Sequence, residues 1–394
     1  MDKNIQELLT RGVQDIIGRE ELEKKLELGQ KMKIYIGADP NRPDIHLGHA
    51  VAIRKLRKFQ DLGHQIIFLI GDFTAQIGDP TGKDEVRKQL SLAEVKKNAL
   101  TYKNQISKIL NFKGVNKAVI KYNSKWNKKL KFQDLIKLSS NFTVQQFLER
   151  DMYQKRLTEG KPISLHEFFY PLMQAYDSVV MDVDMEVGGN DQLFNMLCGR
   201  TLMQKLKNKN KIVMTFDILE GTDGRKMSKS YNNYIGVSDE ANNMFGKIMS
   251  IKDELIIKYF ILCTDLSLGE IREMEIKMKN GTNPRDFKAK LAYEIVKIYH
   301  NKEKAQQAEE EFNKIFQKKD KPSNIKTINI EEDMKITEVI TKFNLVSSNS
   351  DARRMIDQQA VKVNDEKIND YDFPIKKGNE YLIQVGKRRF LKIV

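Results

Sequence analysis

The sequence predicts an α/β chain in three parts. A doubly wound parallel-sheet domain spans residues 1–235, an α-helical domain 236–318, and a small α+β domain 334–394. Three patterns predict it. Short apolar runs alternate with amphipathic stretches through the first half, as strands linked by crossover helices do. From about Asp239 to Gln317 the apolar residues instead step by three or four. The end of the chain combines two short amphipathic stretches, 335–345 and 351–358, with the runs VKVN, YLIQV and FLKIV, and alternation of that kind marks half-buried strands.

Taken in order, Lys33-Ile34-Tyr35-Ile36 is a strand that stops at Gly37. Ala50, Ile53, Leu56, Phe59 and Leu62 then share one helix face, with Gly63 placed to cap its end. Ile66–Ile70 is apolar throughout and ends at Gly71 and Asp72, the pattern of a strand buried on both faces. Strand, helix and strand make a right-handed βαβ unit. Further strands are predicted at Ala118–Lys121, Met185–Val187 and Ile212–Thr215. Rossmann-like sheets of this kind bind ligands beyond the carboxyl ends of their strands, so the chemistry is expected just after Ile36, Ile70 and Val187. In the helical domain Ile248, Ile251, Leu255, Tyr259 and Leu262 form one stripe, and Leu291, Ile295 and Ile298 another. Residues 319–333 are polar, contain Pro322 and read as a linker.

Composition narrows the class. Of the 394 residues, 40% are hydrophobic and 31% charged, enough to fill several cores and to exclude wholesale disorder. Two cysteines, Cys198 and Cys263, exclude a disulfide framework or a Cys-rich zinc site. The start, MDKNIQELL, has no apolar core of a secretory signal. The apolar run Ile66–Ile70 falls far short of the ~20 residues of a membrane span. A cytoplasmic protein without a membrane partner or a resident metal is expected. The 68 basic and 54 acidic residues leave a net charge of +14. That charge permits a nucleic-acid partner without establishing one, and Lys125–Lys131 and Lys205–Lys211 read as solvated faces.

Two of the five histidines, His46 and His49, flank Gly48 at a predicted helix N-terminus. Unpaired N–H groups and imidazole donors there suit a nucleotide phosphate. Gly78-Asp79-Pro80-Thr81-Gly82-Lys83 invites a Walker-type reading, but Ile77 and Asp84 occupy positions that the motif reserves for Gly and for Ser or Thr. Downstream, Gly224-Arg225-Lys226-Met227-Ser228-Lys229-Ser230 carries two lysines on a glycine-flanked loop that could close over phosphates. Paired, His46-Leu47-Gly48-His49 and Lys226–Ser230 resemble the two signature motifs of class I aminoacyl-tRNA synthetases.

Tyr170, Gln174 and Asp177 share one face of a predicted helix. Together with Tyr35, Asp79 and the run Gly188-Gly189-Asn190-Asp191-Gln192, they resemble the tyrosyl-tRNA synthetase family from about residue 30 to the end. The resemblance implies that L-tyrosine, ATP with accompanying Mg2+, and tRNA(Tyr) are the partners, and that the protein is a homodimer. It implies that Tyr35 and Asp177 bond the substrate phenol, and that Asp79, Tyr170 and Gln174 hold its ammonium group. It places Gly189, Asp191 and Gln192 at the ribose and carboxylate, with Gly37, Asp39, Gly48, Thr74 and Ser228 along the adenylate. His46, His49, Lys226 and Lys229 are then the catalytic residues, stabilising charge on the phosphates. A tryptophan-specific relative and a non-catalytic RNA-binding paralogue are the alternatives. Tyr35 and Asp177 speak against the first, and the four signature histidines and lysines against the second.

The last domain resembles the S-four type RNA-binding fold in Ser350–Ile356 and Val361–Asn364, which makes Arg353, Arg354, Lys362 and Arg388 candidate RNA contacts. Gln359-Ala360 and Asp365 stand where that fold often has glycine. A strained turn is expected at Gln359, and a hairpin turn at Asn364-Asp365. His64, His166 and His300 read as structural, Cys198 as packed, and Trp126 as a surface residue without a role.

Overall fold

The computed structural model describes residues 2–81, 90–228, 231–317, 325–386 and 389–394. Its contacts divide the chain into two compact units, Met1–Ala305 and Gln306–Val394. The first is built on six strands: β1 (Val13–Ile17), β2 (Lys33–Ala38), β3 (Gln65–Ile70), β4 (Val119–Tyr122), β5 (Met185–Gly189) and β6 (Ile212–Phe216). They lie in the order β1-β6-β5-β2-β3-β4. The neighbours from β6 to β4 are parallel, and β1 is an antiparallel edge with a bulge between Val13 and Asp15.

The crossover helix Leu47–Asp61 buries Leu47, Ala50, Ile53, Leu56 and Phe59. It ends where Gly63 takes φ +87° and donates its N–H to Gln60 O at 2.9 Å, the left-handed glycine cap its sequence announces. In β3, Ile66–Ile70 are all within 2% of complete burial, as a strand covered on both faces requires. From β2 the chain builds outward through β3 and β4, then returns to place β5 and β6 on the other side of β2. The reversal falls between β2 and β5.

The helical segment, expected to begin a domain of its own at residue 236, shares the first unit with the sheet. Arg11, just before β1, shows why. Its guanidinium donates to the carbonyls of Phe260, Ile261, Thr264 and Leu266 at 2.7–3.2 Å. That ties down the last turn of helix Ile256–Cys263 and the chain just after it, where carbonyls lack the next turn of the helix to bond to. Arg54 of the crossover helix adds an ion pair to Asp265 at 3.0 Å.

In the second unit the sheet order is Glu366–Lys367, Val361–Val363, Tyr381–Val385, Arg389–Ile393, Lys326–Ile328. It packs with helices Ile336–Lys342 and Asn349–Asp357 around Val339, Ile340, Ile356, Val361, Ile383 and Leu391. The expected linker 319–333 is therefore too long. Lys326–Ile328 pairs in parallel with Leu391–Ile393, its backbone satisfied in the sheet and Ile328 packed against the core, although Lys326 and Thr327 are polar and exposed. Asn364 and Asp365 both have positive φ, 50° and 70°, as a two-residue hairpin turn demands. Gln359 also lies in the left-handed region, at φ 52°. Among the described residues no helix is long and apolar enough to cross a membrane.

Gln359→Gly should relieve the side-chain clash of that left-handed conformation, raising the stability of the second unit by about 1 kcal/mol. Amide hydrogen exchange over residues 325–386 in the full chain measures it. Unchanged or weaker protection would mean the turn is unstrained.

Candidate active site

The reversal at β2 and β5 gathers the residues that the two motifs and the Tyr170 helix supply. His46 precedes helix Leu47–Asp61 in extended conformation. Its ring stacks on that of His49, with centroids 3.7 Å apart, and its backbone N–H donates to His49 Nδ1 at 3.4 Å. A Cβ on Gly48 would lie 3.1 Å from the His46 imidazole and 3.8 Å from Met227 Cβ. The missing side chain leaves room for the His46 ring to fold over the start of the helix. Backbone bonds join the two motif segments: Leu47 N–H to Ile235 O and Val237 N–H to Ile45 O, both 2.9 Å.

In the Lys-Ser loop, Met227 is buried. Asn233 acts as a clamp, accepting from Ser228 N–H at 2.7 Å and donating to Asp223 Oδ1 at 2.7 Å and Lys226 O at 3.1 Å. Lys226 Nζ forms an ion pair with Asp191 Oδ2 at 2.7 Å, joining this loop to the turn after β5. Lys229 lies outside the described residues, as does Arg388.

Helix Phe169–Met181 carries Tyr170, Gln174 and Asp177, and the structure gives each its own partner. The Tyr170 hydroxyl donates to Asp39 Oδ2 at 3.0 Å, and Thr74 Oγ1 donates to Asp39 Oδ1 at 2.7 Å. Gly71 makes room, since a Cβ there would lie 2.1 Å from Asp39 Oδ1. The Gln174 amide donates to Glu186 Oε1 at 2.9 Å. Asp79 accepts from Gln192 Nε2 at 2.8 Å and from Thr81 N–H at 3.0 Å. Gly37, at the end of β2, is exposed, with nothing near the position of a Cβ. A Cβ on Gly189 would meet Asp191.

Asp177 is 2% exposed and accepts from Trp126 Nε1 at 2.7 Å and from Asn123 Nδ2 and Asn127 Nδ2, both at 3.1 Å. Burial pushes its carboxyl up to about 7 against the pull of those three donors, and the charge of Glu186 adds to the rise. Tyr35 is fully buried, its Oη 2.9 Å from Ser178 Oγ. Burial first, then the carboxylates of Glu186 and Asp177, hold its phenol well above the ordinary tyrosine range.

The reading of Trp126 as a surface residue without a role is thus corrected. The indole belongs to the Asp177 network and packs against the Tyr35 cluster. Lys211, read as part of a solvated face, is corrected as well: it is completely buried in an ion pair with Glu186. Asn123, Asn127, Ser178 and Glu186 join the site without belonging to any motif in the sequence. The available signal is a charged residue opening or interrupting an apolar strand, as in Met185-Glu186-Val187 and Lys211-Ile212-Val213. His64 accepts from Met32 N–H at 3.1 Å, and burial lowers it to about 4. Cys198 is packed among Leu172, Met173 and Leu202. Arg353 and Arg354 are exposed on helix Asn349–Asp357, and Lys362 is half-buried on its strand. These three belong to the second unit. Among the described residues no three His, Cys, Asp or Glu side chains gather as a metal site.

Trp126 is the single tryptophan, so its emission should titrate with Asp177 at a midpoint of about 7 and lose that step in Asp177→Asn. Stability should follow with a definite sign. The folded carboxyl binds protons more tightly than the unfolded one, so its contribution is complete below the ordinary value of 3.8 and is lost as pH rises through about 7. A flat emission profile from pH 5 to 8 would contradict the assigned environment.

Comparison with known proteins bears on the whole chain. The family model for class I tRNA synthetases (W and Y) matches residues 27–317, and the tyrosine–tRNA ligase SYY-like C-terminal domain matches 311–393. The tyrosine–tRNA ligase of Carboxydothermus hydrogenoformans is 50% identical, over 98% of this chain and 97% of its own length. That of Thermotoga maritima is 47% identical, over 98% and 96%. In fold, a C-terminally truncated mitochondrial tyrosyl-tRNA synthetase of Aspergillus nidulans superposes with a TM-score of 0.67 at 22% identity, over 80% of this chain and 95% of that one. The enzyme of Archaeoglobus fulgidus, solved with L-tyrosine, gives 0.60 at 23% identity, over 77% and 98%. With both family models matched in sequence and full-length relatives at nearly half identity, the chain belongs to the tyrosine–tRNA ligases, the tyrosine branch of the class I aminoacyl-tRNA synthetases.

Proposed function

We propose that, in the ligase reaction of this family, the crevice at the β2–β5 reversal selects tyrosine through Asp177 and Tyr35 and activates it through His46, His49, Lys226 and Lys229. The reaction joins L-tyrosine to ATP as tyrosyl-adenylate with release of pyrophosphate, then passes tyrosine to the 3′ end of tRNA(Tyr). The observation that carries the pocket assignment is Asp177, a buried carboxylate held in place by three donors. Such an acceptor fits a phenol proton. A site built to bond a hydroxyl rejects the analogue lacking it, as tyrosine enzymes are known to reject phenylalanine, because its buried polar groups would be left unpaired.

The amino-acid carboxylate needs no general base. It attacks the α-phosphorus while the bond to the bridging oxygen breaks, so catalysis is positioning and charge stabilisation. His46 and His49, stacked at a helix N-terminus, would face the α-phosphoryl group. Lys226 and Lys229 would face the departing pyrophosphate. Asp79, Tyr170 and Gln174 would hold the ammonium group. Gly189, Asp191 and Gln192 would meet the ribose and carboxylate, and Gly37, Asp39, Gly48, Thr74 and Ser228 would line the adenylate. Mg2+ enters with ATP as part of the substrate. The same reading gives a cytoplasmic homodimer. Its helical segment would meet the anticodon region of the tRNA, and its last domain would bind RNA through Arg353, Arg354, Lys362 and Arg388.

ATP–pyrophosphate exchange, run separately with tyrosine, tryptophan and phenylalanine, tests the pocket. Exchange is expected with tyrosine alone, and Asp177→Ala should raise the tyrosine KM about tenfold or more while leaving that for ATP in place. Exchange with tryptophan would overturn the assignment. A chain ending at Gln317 should keep exchange and charge tRNA about tenfold or more weakly. Equal survival of both activities would remove the last domain as the tRNA anchor.

A further inference from the structure

We propose that Lys211 and Glu186 are a buried positioning pair for the amino-acid pocket, holding Gln174 on one side and, through Ser178, Tyr35 on the other. The proposal rests on the assignment of Tyr35 and Gln174 to tyrosine binding. Lys211 stands directly before β6 and Glu186 lies within the neighbouring strand β5, at 0% and 1% exposure. Their ion pair is direct. The Lys211 ammonium also donates to Ser178 Oγ at 3.0 Å, and that oxygen lies 2.9 Å from Tyr35 Oη. Glu186 uses Oε2 for Lys211 and Oε1 to accept from the Gln174 amide at 2.9 Å. Both arms of the pair therefore end on side chains of the pocket.

Stability does not account for this arrangement. Removing two charges from water is costly, and a buried pair is often replaceable by apolar side chains without loss. The fold makes a second concession to it. Gly199 sits inside helix Leu193–Lys207, where glycine weakens a helix. A Cβ there would lie 2.3 Å from Lys211 Nζ and 2.9 Å from Ser178 Oγ. The helix gives up a side chain so that the ammonium and the hydroxyl can meet. Ser178 follows Asp177 in the same helix, so the hydroxyl that reaches Tyr35 and the carboxylate proposed to accept the phenol proton move as one piece.

Two variants of the full-length chain separate positioning from packing. Ser178→Ala removes only the bridging hydroxyl. Lys211→Met combined with Glu186→Gln removes both charges at once, leaving neither buried alone. Pyrophosphate exchange with tyrosine and with phenylalanine is the readout. Each variant should raise the tyrosine KM about tenfold and narrow the preference over phenylalanine, while the KM for ATP stays put and kcat changes far less. Tyr35→Phe and Gln174→Ala serve as references. If they raise the tyrosine KM and the two variants do not, the pair is packing alone and the proposal fails. A lowered melting temperature with unchanged tyrosine KM overturns it in the same way. If the references leave the tyrosine KM untouched, the pocket assignment itself falls and takes the proposal with it.

Discussion

Strands β2 and β5 run side by side in parallel, yet the chain leaves them toward opposite edges of the sheet. No single crossover can cover the gap at their carboxyl ends, and a crevice follows from the topology alone. Every element of the site is placed by it. The end of β2 delivers Asp39, and the turn after β5 delivers Asp191 and Gln192. The helix before β5 lays Tyr170, Gln174 and Asp177 beside them. The loop with Lys226 comes after β6, and the 45–47 and 235–237 backbone bonds bring it to His46.

A crevice lined with polar groups beside a sheet core has to satisfy them internally, because an unpaired buried polar group is expensive. Here the satisfaction is shared. Asn123 takes Phe73 N–H on its carbonyl and gives its amide to both Thr74 and Asp177, so one buried side chain ties Asp39's partner to Asp177. On the other side Ser178 and Glu186 tie Tyr35 to Gln174 through Lys211. Asp177 and Ser178 are consecutive, and the two networks meet at that backbone step. Such connected networks fix geometry more tightly than isolated bonds do.

Much of this is legible in the sequence. Strands β2 to β6 are apolar enough to be read directly, and the Asn364-Asp365 turn has the residue chemistry its backbone needs. Strand β1 is not: Val13-Gln14-Asp15-Ile16-Ile17 has no clean period, because a bulged edge strand does not keep one. The strand Lys326–Ile328 reads as linker, since it is short, gives the core one side chain, Ile328, and takes most of its place from backbone pairing with Leu391–Ile393. The signature loops and the face Tyr170–Gln174–Asp177 are visible because their spacing is local. What joins them is not, because each bond spans from 12 to more than 100 residues and depends on the sheet order.

Trp126 and Lys211 defy a reading from sequence for one shared reason. Each sits in a lysine-rich stretch, where the polarity of neighbours suggests exposure. In a helix or strand end, neighbours in sequence point in different directions, so a solvated run can turn one member inward. What decides whether that member is admitted is the space left opposite it. Gly199 opposite Lys211 and Gly71 opposite Asp39 both have negative-φ or extended backbones that any residue could adopt. Their lack of a side chain therefore answers to contact rather than conformation. Gly199, inside its helix and away from any turn, marks the place where the Lys211 head is brought into the core, and Gly71, just past the end of β3, makes the corresponding room for the half-buried Asp39 carboxylate.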